Sequence, residues 1–135
     1  MDKNTEEFYD RLKAELDSST TWPAEYLFKF IVPTDETKIE AAITSKTSAI
    51  LVTHVFGNPC NVDAIEAIAK KHHLKVIYDA AQCFGVEYIE RTIFYYGDVS
   101  TCSFHATKLF HTGEGGAMFC NDAAIFHQLY SLLDL

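Results

Sequence analysis

The sequence predicts an α/β fold, with a parallel-rich sheet flanked by helices. Two compact apolar runs, residues 49–55 and 74–78, have the composition of strands that are covered on both faces. Between them, Asn61 is placed to cap a helix that carries one apolar stripe. The stripe consists of Val62, Ile65, Ile68 and Ala69. A strand, a helix and a strand joined by short loops form a βαβ unit, so we expect a parallel pair with a right-handed crossover.

The flanking segments predict further helices and strands. Phe8, Leu12 and Leu16 are spaced four apart, which indicates a short amphipathic helix at residues 8–16. The aromatic and β-branched run 26–32 predicts a strand. A helix is then predicted from an N-cap at Thr34 to about Ile43. Later in the chain the pattern predicts strands at residues 99–104 and 117–120 and a final helix at residues 122–133.

Composition and charge exclude several classes of protein. The chain has 135 residues, 48% of them hydrophobic, so one globular domain is the expectation. A formal net charge of −8 argues against nonspecific binding to nucleic acid or to an anionic membrane, because both need a basic face. No apolar run approaches the length of a membrane span, and the N-terminus has no secretion signal. The four cysteines form no CxxC pair and no zinc-ligand spacing, so we expect free thiols, no metal site and a cytoplasmic location.

Two polar segments follow predicted strands, where parallel sheets bind their ligands. Asp79 comes directly after the strand at 74–78, and Ser103 ends the next strand, five residues before Lys108. Ligands of such sheets bind beyond the carboxyl ends of the strands. A carboxylate, an amine and a hydroxyl that binds phosphate are the groups that pyridoxal-phosphate chemistry needs. A glycine-rich turn at residues 113–116 follows the same segment.

Each of these residues alone also has an ordinary structural explanation. A strand-end aspartate such as Asp79 is often a helix cap, and a lone loop lysine such as Lys108 is usually a solvated charge. The glycines more often supply a turn with positive φ than a phosphate cradle. An alternative is a metal- or cysteine-based enzyme built on His54, Cys60, Cys102 or His105. No spacing favours that alternative, so the prediction depends on the motifs occurring together and in order.

The order of the motifs resembles that of one enzyme family. The motifs are HVFGNP at 54–59, VIYDAAQ at 76–82, GDVSTCSFHATK at 97–108 and EGGA at 114–117. Further matching stretches lie at residues 39–44 and 63–71. Together they make residues 38–134 similar to the DegT/DnrJ/EryC1/StrS aminotransferases, pyridoxal-phosphate enzymes that aminate keto groups on nucleotide-linked sugars.

This resemblance implies a fold, a cofactor and a set of site residues. Residues 38–135 would form part of the large domain of a fold-type I aminotransferase that binds pyridoxal 5'-phosphate. Lys108 resembles the catalytic Schiff-base lysine, and Asp79 resembles the carboxylate on the pyridine nitrogen. Gln82 resembles the residue beside the phenolic oxygen, and Ser103 resembles a phosphate ligand. The implied partners are a nucleotide-linked keto sugar, an amino donor expected to be glutamate, and a second copy in a homodimer.

Residues 1–37 have a different resemblance. The stretches EFYDRL at 7–12 and TWPAEYLFKFIVP at 21–33 are similar to the start of the YbeD-like family of ferredoxin-fold proteins. We therefore expect a domain boundary near residue 37, followed by a partial cofactor-binding domain at 38–135. The family's catalytic chain is longer than this one, and residues 1–37 contain no glycine for a phosphate-binding turn. Two alternatives to a working transaminase stay open: a non-catalytic truncated or chimeric remnant, and a small YbeD-like regulatory or binding module.

Overall fold

A computed structural model describes residues 36–131, together with the backbone of residues 29–31. The strands are β1 Lys29–Ile31, β2 Ala49–Thr53, β3 Lys75–Asp79, β4 Glu87–Tyr88, β5 Arg91–Thr92, β6 Val99–Ser103 and β7 Gly116–Phe119. The helices are α1 Ile39–Ala42, α2 Val62–His72 and α3 Ala123–Ser131, and short 3-10 turns occupy Glu36–Lys38, Val55–Gly57 and Ile93–Tyr95. The helix predicted at residues 8–16 and the predicted cap at Thr34 lie outside the described residues.

Five strands form one sheet in the order β1-β2-β3-β6-β7. The first four run parallel to their neighbours, and β7 runs antiparallel to β6. Because α2 connects the parallel pair β2 and β3, the predicted βαβ unit and the α/β fold are confirmed. The register places Thr53 opposite Asp79 and Asp79 opposite Thr101. The carboxyl ends of β2, β3 and β6 therefore lie side by side.

The core lies on one face of the sheet. Along the two central strands Val52, Val76 and Tyr78 are buried, and they alternate with side chains that are partly exposed. The helix α2 adds its predicted apolar stripe to the same cluster, with Val62, Ile65 and Ala69 buried. Removing an aliphatic side chain of this size from water contributes about 2 kcal/mol. This burial fixes which side chains of β3 point into the core and which point to the opposite face.

The ends of α2 confirm the signals that predicted them. The Asn61 Oδ1 atom accepts a hydrogen bond from the backbone N–H of Ala64 at 3.2 Å, which satisfies one of the free amides of the first turn. At the other end His73 adopts a left-handed conformation with φ of 55°. The basic residues of the last turn favour the negative end of the helix dipole. They are Lys70, Lys71 and His72.

Two regions differ from the sequence prediction. The helix predicted to end near Ile43 consists of the 3-10 turn Glu36–Lys38 followed by the four residues of α1. A two-stranded hairpin, β4 with β5, follows β3 and was not predicted. Its two turn residues, Ile89 and Glu90, both have positive φ, at 45° and 58°. Such turns usually carry asparagine, aspartate or glycine, so the usual sequence signal for a hairpin is missing.

Candidate active site

The candidate site lies at the carboxyl edge of the sheet, where β3 ends at Asp79 and β6 ends at Ser103. These strands are adjacent and parallel, and Asp79 stands opposite Thr101, two residues before Ser103. Side chains two residues apart on a strand project to the same face, so all three share one face of the sheet. That face is opposite to the one through which Val76 and Tyr78 enter the core. The three polar side chains are half-buried, so a ligand can reach them.

The Asp79 side chain is anchored by the turn that follows it. Its Oδ1 atom accepts a hydrogen bond from the Ala81 N–H at 3.1 Å, and the N–H of Cys83 donates to the Ala80 carbonyl at 3.0 Å. The backbone carbonyl of Asp79 accepts from the N–H of His54 at 3.0 Å. The second carboxylate oxygen makes no hydrogen bond to the part of the chain that the structure describes. This oxygen therefore has the capacity to accept from a ligand.

Gln82 lies in the same turn, and its side chain is exposed. The backbone carbonyl of Gln82 points toward Gly57 in the loop between β2 and α2, where a Cβ atom would lie 2.9 Å from that oxygen. The loop and the turn therefore pack backbone against backbone. The exposed side-chain amide of Gln82 makes no hydrogen bond within residues 36–131, so it has the capacity to bond to a ligand.

Lys108 lies in a loop that leaves β6 and returns to β7. The N–H of Phe104 donates to the Gly115 carbonyl at 2.9 Å, and the N–H of Ala106 donates to the Gly113 carbonyl at 2.8 Å. These bonds close the base of the loop, and the predicted glycine turn forms its returning arm. The half-buried ammonium of Lys108 forms no ion pair or hydrogen bond with the described residues. The amine is therefore not committed to a structural partner there.

Ser103 and Lys108 are linked through the backbone of His105. The Ser103 Oγ atom accepts from the His105 N–H at 3.3 Å, and the His105 carbonyl accepts from the Lys108 N–H at 2.9 Å. The imidazole of His105 contacts the Thr107 hydroxyl at 3.0 Å and lies 3.6 Å from the Glu114 carboxylate. These bonds make residues 103–108 one tight turn. The turn keeps Lys108 at the same edge of the sheet as Ser103.

The charges of Asp79 and Lys108 act on neighbouring buried thiols. Burial raises the pKa of Cys102, and the positive charge of Lys108 opposes that rise. Burial also raises the pKa of Cys83 to about 11, and the negative charges of Cys102 and Asp79 add to the rise. Asp79 and Lys108 therefore each lie close enough to a buried thiol to influence its pKa.

Three phenylalanines join the Asp79 turn to the Lys108 loop. Phe84 stacks on Phe110 with ring centroids 4.4 Å apart, and Phe104 meets both rings edge-on at 6.3 and 5.6 Å. Such aromatic pairs contribute about 1 kcal/mol each beyond the area they bury. Because Phe84 follows the Asp79 turn and the other two rings belong to the Lys108 loop, the cluster holds the two segments against each other.

The structure disfavours the metal- and cysteine-based alternatives. Burial raises the pKa of the Cys60 thiol to about 12 and also raises the pKa of Cys102, so both thiols are protonated at neutral pH. A thiol acts as a nucleophile or metal ligand in its thiolate form, which burial suppresses here. Across the described ranges, no three His, Cys, Asp or Glu side chains form a group able to hold a metal ion. No helix there is long and apolar enough to cross a membrane.

The structure thus places three of the four predicted site residues at one edge of the sheet, namely Asp79, Ser103 and Lys108. Gln82 lies in the turn that directly follows Asp79, and its side chain is exposed. Sequence reasoning noted the HVFGNP motif but assigned no role to Gly57, since its contact with Gln82 joins two loops that are distant in the sequence. The phenylalanine cluster was missed for the same reason.

Comparison with known sequences matches the part of the chain that contains the candidate site to one enzyme family. The sequence model of the DegT/DnrJ/EryC1/StrS aminotransferase family matches residues 30–134. Over 84 residues the chain is 56% identical to the dTDP-4-amino-4,6-dideoxy-D-glucose transaminase of Shigella dysenteriae. The match covers 62% of this chain and 23% of the relative, so the chain spans about a quarter of the relative's length.

Comparison with solved structures shows the same architecture. The crystal structure of DesI in the presence of its TDP-sugar product matches with a TM-score of 0.72 and 34% identity, over 81% of this chain and 30% of DesI. The structure of NtdA from Bacillus subtilis with bound PMP matches with a TM-score of 0.60 and 37% identity, over 65% of this chain and 20% of NtdA. Both comparisons confirm the predicted α/β fold with a parallel-rich sheet.

Proposed function

The chain belongs to the DegT/DnrJ/EryC1/StrS aminotransferase family, and from this membership we propose that it provides the cofactor-binding centre of a pyridoxal 5'-phosphate-dependent transaminase. The proposed amino acceptor is a keto group on a nucleotide-linked sugar. The name of the Shigella relative refers to a dTDP-linked sugar, and DesI was crystallised with a TDP-sugar. The match covers 23% of that relative's length, so the transaminase activity of a whole protein does not follow from the match alone and is likewise proposed.

The observation that carries the proposal is the shared carboxyl edge of β3 and β6. It places the Asp79 carboxylate and the Ser103 hydroxyl on one face of the sheet, and the Lys108 loop begins at the same edge. The ordinary spacing and rise of strands put the Cα atoms of Asp79 and Ser103 about 8 Å apart. This separation suits a substituted pyridine ring that carries a phosphate at its far end.

Each proposed role follows from the free bonding capacity of the residue. Asp79 keeps one carboxylate oxygen for the protonated ring nitrogen, while Ala81 holds the other oxygen in place. Ser103 has a hydroxyl proton to donate to a phosphate oxygen. Lys108 would hold the cofactor at its aldehyde carbon through the side-chain amine, and the same amine would carry the proton during amine transfer. Gln82 would lie beside the phenolic oxygen of the bound cofactor. The cofactor, when bound, supplies the electron sink for amine transfer.

The test is a titration of the purified chain with pyridoxal 5'-phosphate, followed by borohydride reduction. We compare wild type with Lys108→Ala, and with Lys46→Ala as the matched control for an exposed lysine on the turn between α1 and β2. Wild type and Lys46→Ala are expected to show a visible absorbance band and to retain one cofactor covalently after reduction. Lys108→Ala is expected to show neither, with an unchanged circular dichroism spectrum.

The alternatives give different results in the same titration. An identical band in Lys108→Ala would show that another lysine reacts and that the assignment of Lys108 is wrong. The absence of a band in every variant would show that the site is not assembled in this chain, which favours the non-catalytic remnant. Peptide mass spectrometry of the reduced protein locates the modified lysine directly.

Three further parts of the proposal rest on family membership. Glutamate is the proposed amino donor, a homodimer is the proposed assembly and the cytoplasm is the proposed location. Four free thiols, Cys60, Cys83, Cys102 and Cys120, agree with a reducing compartment.

Single-turnover conversion of the loaded cofactor by glutamate, aspartate and glutamine tests the donor. Light scattering coupled to gel filtration tests the assembly. The domain boundary near residue 37 stays a prediction.

A further inference from the structure

Gly57 lies where the loop between β2 and α2 meets the turn that carries Asp79 and Gln82. Its φ is +79°, and a Cβ atom built on it would lie 2.9 Å from the Gln82 carbonyl oxygen and 3.8 Å from Val86 Cγ2. Real Cβ atoms do not approach a backbone oxygen this closely. Any side chain at position 57 would therefore force the two backbones apart, in addition to straining its own conformation.

A backbone hydrogen bond joins the same two segments. The N–H of His54 donates to the Asp79 carbonyl at 3.0 Å, and within the loop the N–H of Gly57 donates to the His54 carbonyl at 3.2 Å. The loop is thus bonded to the turn at Asp79 and in steric contact with it at Gln82.

Phe56 shows that this loop conformation is held under strain. Its φ of 54° and ψ of 29° are left-handed, which is rare for an aromatic residue. The Phe56 side chain is 82% exposed, so its own packing does not hold that conformation. Strained backbone persists where its surroundings over-determine it, and here the surroundings are the contacts of Gly57 and His54 with the Asp79 turn.

We propose that Gly57 is a positioning residue whose missing side chain lets the β2–α2 loop seat against Gln82 and sets the position of the Asp79–Gln82 turn. Because Asp79 Oδ1 bonds to Ala81, a displacement of the turn moves the carboxylate and Gln82 together. The consequence for cofactor binding rests on the proposed function, whereas the positioning contact itself exists in the protein alone.

The test compares Gly57→Ala with Gly85→Ala. Gly85 has nearly the same φ, +78°, but a Cβ atom there meets nothing within 4 Å, so it reproduces the backbone strain without the contact. In ¹H–¹⁵N spectra without cofactor, Gly57→Ala is expected to shift the amide resonances of Ala81 and Gln82, and Gly85→Ala is expected to leave them in place. The dissociation constant for pyridoxal 5'-phosphate is expected to rise about tenfold in Gly57→Ala and to stay within about twofold in Gly85→Ala.

The absorbance maximum of the bound cofactor distinguishes a change in positioning from a loss of stability, because a loss of stability alone does not shift it. We expect its maximum to shift in Gly57→Ala, because Gln82 moves relative to the phenolic oxygen, and to stay unchanged in Gly85→Ala. Equal amide shifts and equal affinities in the two variants would overturn the positioning role while leaving the proposed function intact. If wild type binds no cofactor, the proposed function fails, and the amide shifts alone decide the role of Gly57.

A second variant covers the case in which Gly57→Ala does not fold. Phe56→Val keeps Gly57 but makes the left-handed conformation of residue 56 more costly, because β-branched residues rarely adopt positive φ, and little burial is lost because Phe56 is exposed. Shifted Ala81 and Gln82 resonances in Phe56→Val would support control of the turn by this loop. Unchanged resonances would overturn it.

Discussion

His54 and Tyr78 stack ring on ring beside the carboxyl edge of the sheet, with centroids 4.7 Å apart and planes inclined by 22°. The Nδ1 atom of His54 accepts from the N–H of Cys60 at 3.2 Å. The Nε2 atom of His54 and the hydroxyl of Tyr78 are buried and have no hydrogen-bond partner, a state shared by no other side-chain N or O atom in the described ranges. Each such atom lowers the stability of the folded protein, because it loses its hydrogen bonds to water and gains none in the protein. The stack beside Asp79 is therefore a destabilising feature of the fold.

The first prediction concerns the pH dependence of stability. Burial lowers the pKa of His54 from 6.5 to about 4, and the nearby Asp79 carboxylate opposes the shift. The unfolded chain therefore takes up a proton at His54 below pH 6.5, while the folded chain does not until about pH 4. The stability that neutral His54 contributes is complete above pH 6.5 and is lost as pH falls toward 4, by about 3 kcal/mol in total.

Urea unfolding of wild type and His54→Asn between pH 4 and 7.5 measures this contribution. The asparagine retains an acceptor for the Cys60 N–H but does not titrate. The wild-type free energy of unfolding is expected to fall more steeply with decreasing pH than that of the variant, and the two curves should converge toward pH 4. Parallel curves would show that His54 is not buried in its neutral form.

The second prediction is that Tyr78→Phe does not destabilise the protein. The Tyr78 hydroxyl is buried without a partner, so its removal is expected to raise the free energy of unfolding by about 1 kcal/mol. Tyr96→Phe is the matched control, because the Tyr96 hydroxyl donates to the Tyr88 carbonyl at 2.8 Å. That variant is expected to lose about 1 kcal/mol in the same urea titration. A loss in Tyr78→Phe equal to that in Tyr96→Phe would contradict the prediction.

Local patterns were enough to predict the central part of the fold. The βαβ unit from Ala49 to Asp79 has apolar strands, a capped amphipathic helix and short loops, and each signal lies within the segment it describes. The hairpin of β4 and β5 has no such signal. Ile89 and Glu90 adopt positive φ in its turn although neither residue favours that conformation. Tertiary contacts outweigh local preference there, so sequence reasoning had nothing to detect.

The candidate site was predictable to the extent that topology alone determines it. Once β3 and β6 are expected as parallel strands, Asp79 and Ser103 must lie at one edge of the sheet. The contact of Gly57 with the Gln82 carbonyl depends on how two loops pack, and no spacing along the chain contains that information. The burial of His54 agrees with the expectation that the run 49–55 is covered on both faces, but its stacking on Tyr78 depends on the pairing of two strands and has no signal in the sequence.

The third prediction compares two interactions of the Asp98 carboxylate, a hydrogen bond from the backbone and an ion pair at the surface. Asp98 Oδ2 accepts from the N–H of Val76 at 2.8 Å, and Oδ1 pairs with the Lys75 ammonium at 2.7 Å. Asp98→Ala leaves a partly buried N–H unpaired and is expected to cost about 2 kcal/mol of unfolding free energy. Lys75→Ala removes a largely exposed partner and is expected to change stability by less than about 0.5 kcal/mol. Comparable losses in the two variants would contradict this division.

The fourth prediction tests the N-terminal cap of α2, the helix of the βαβ unit. Asn61 Oδ1 accepts from the Ala64 N–H at 3.2 Å, and its Nδ2 donates to Glu36 at 2.7 Å. Asn61→Ala removes both bonds and is expected to lower the unfolding free energy by about 1 kcal/mol. Glu36→Ala removes only the second bond, which is exposed, and is expected to cost less than about 0.5 kcal/mol.

Asn61→Asp completes the comparison for the α2 cap, because aspartate keeps the acceptor for Ala64 while it repels Glu36. If the cap carries the effect, Asn61→Asp should retain most of the stability that Asn61→Ala loses, and raised salt should narrow the remaining gap by screening the two carboxylates. If the bond to Glu36 instead accounts for the stability lost in Asn61→Ala, then Glu36→Ala and Asn61→Ala should be destabilised equally. Thermal unfolding followed by circular dichroism at low and high salt measures all four proteins, wild type included.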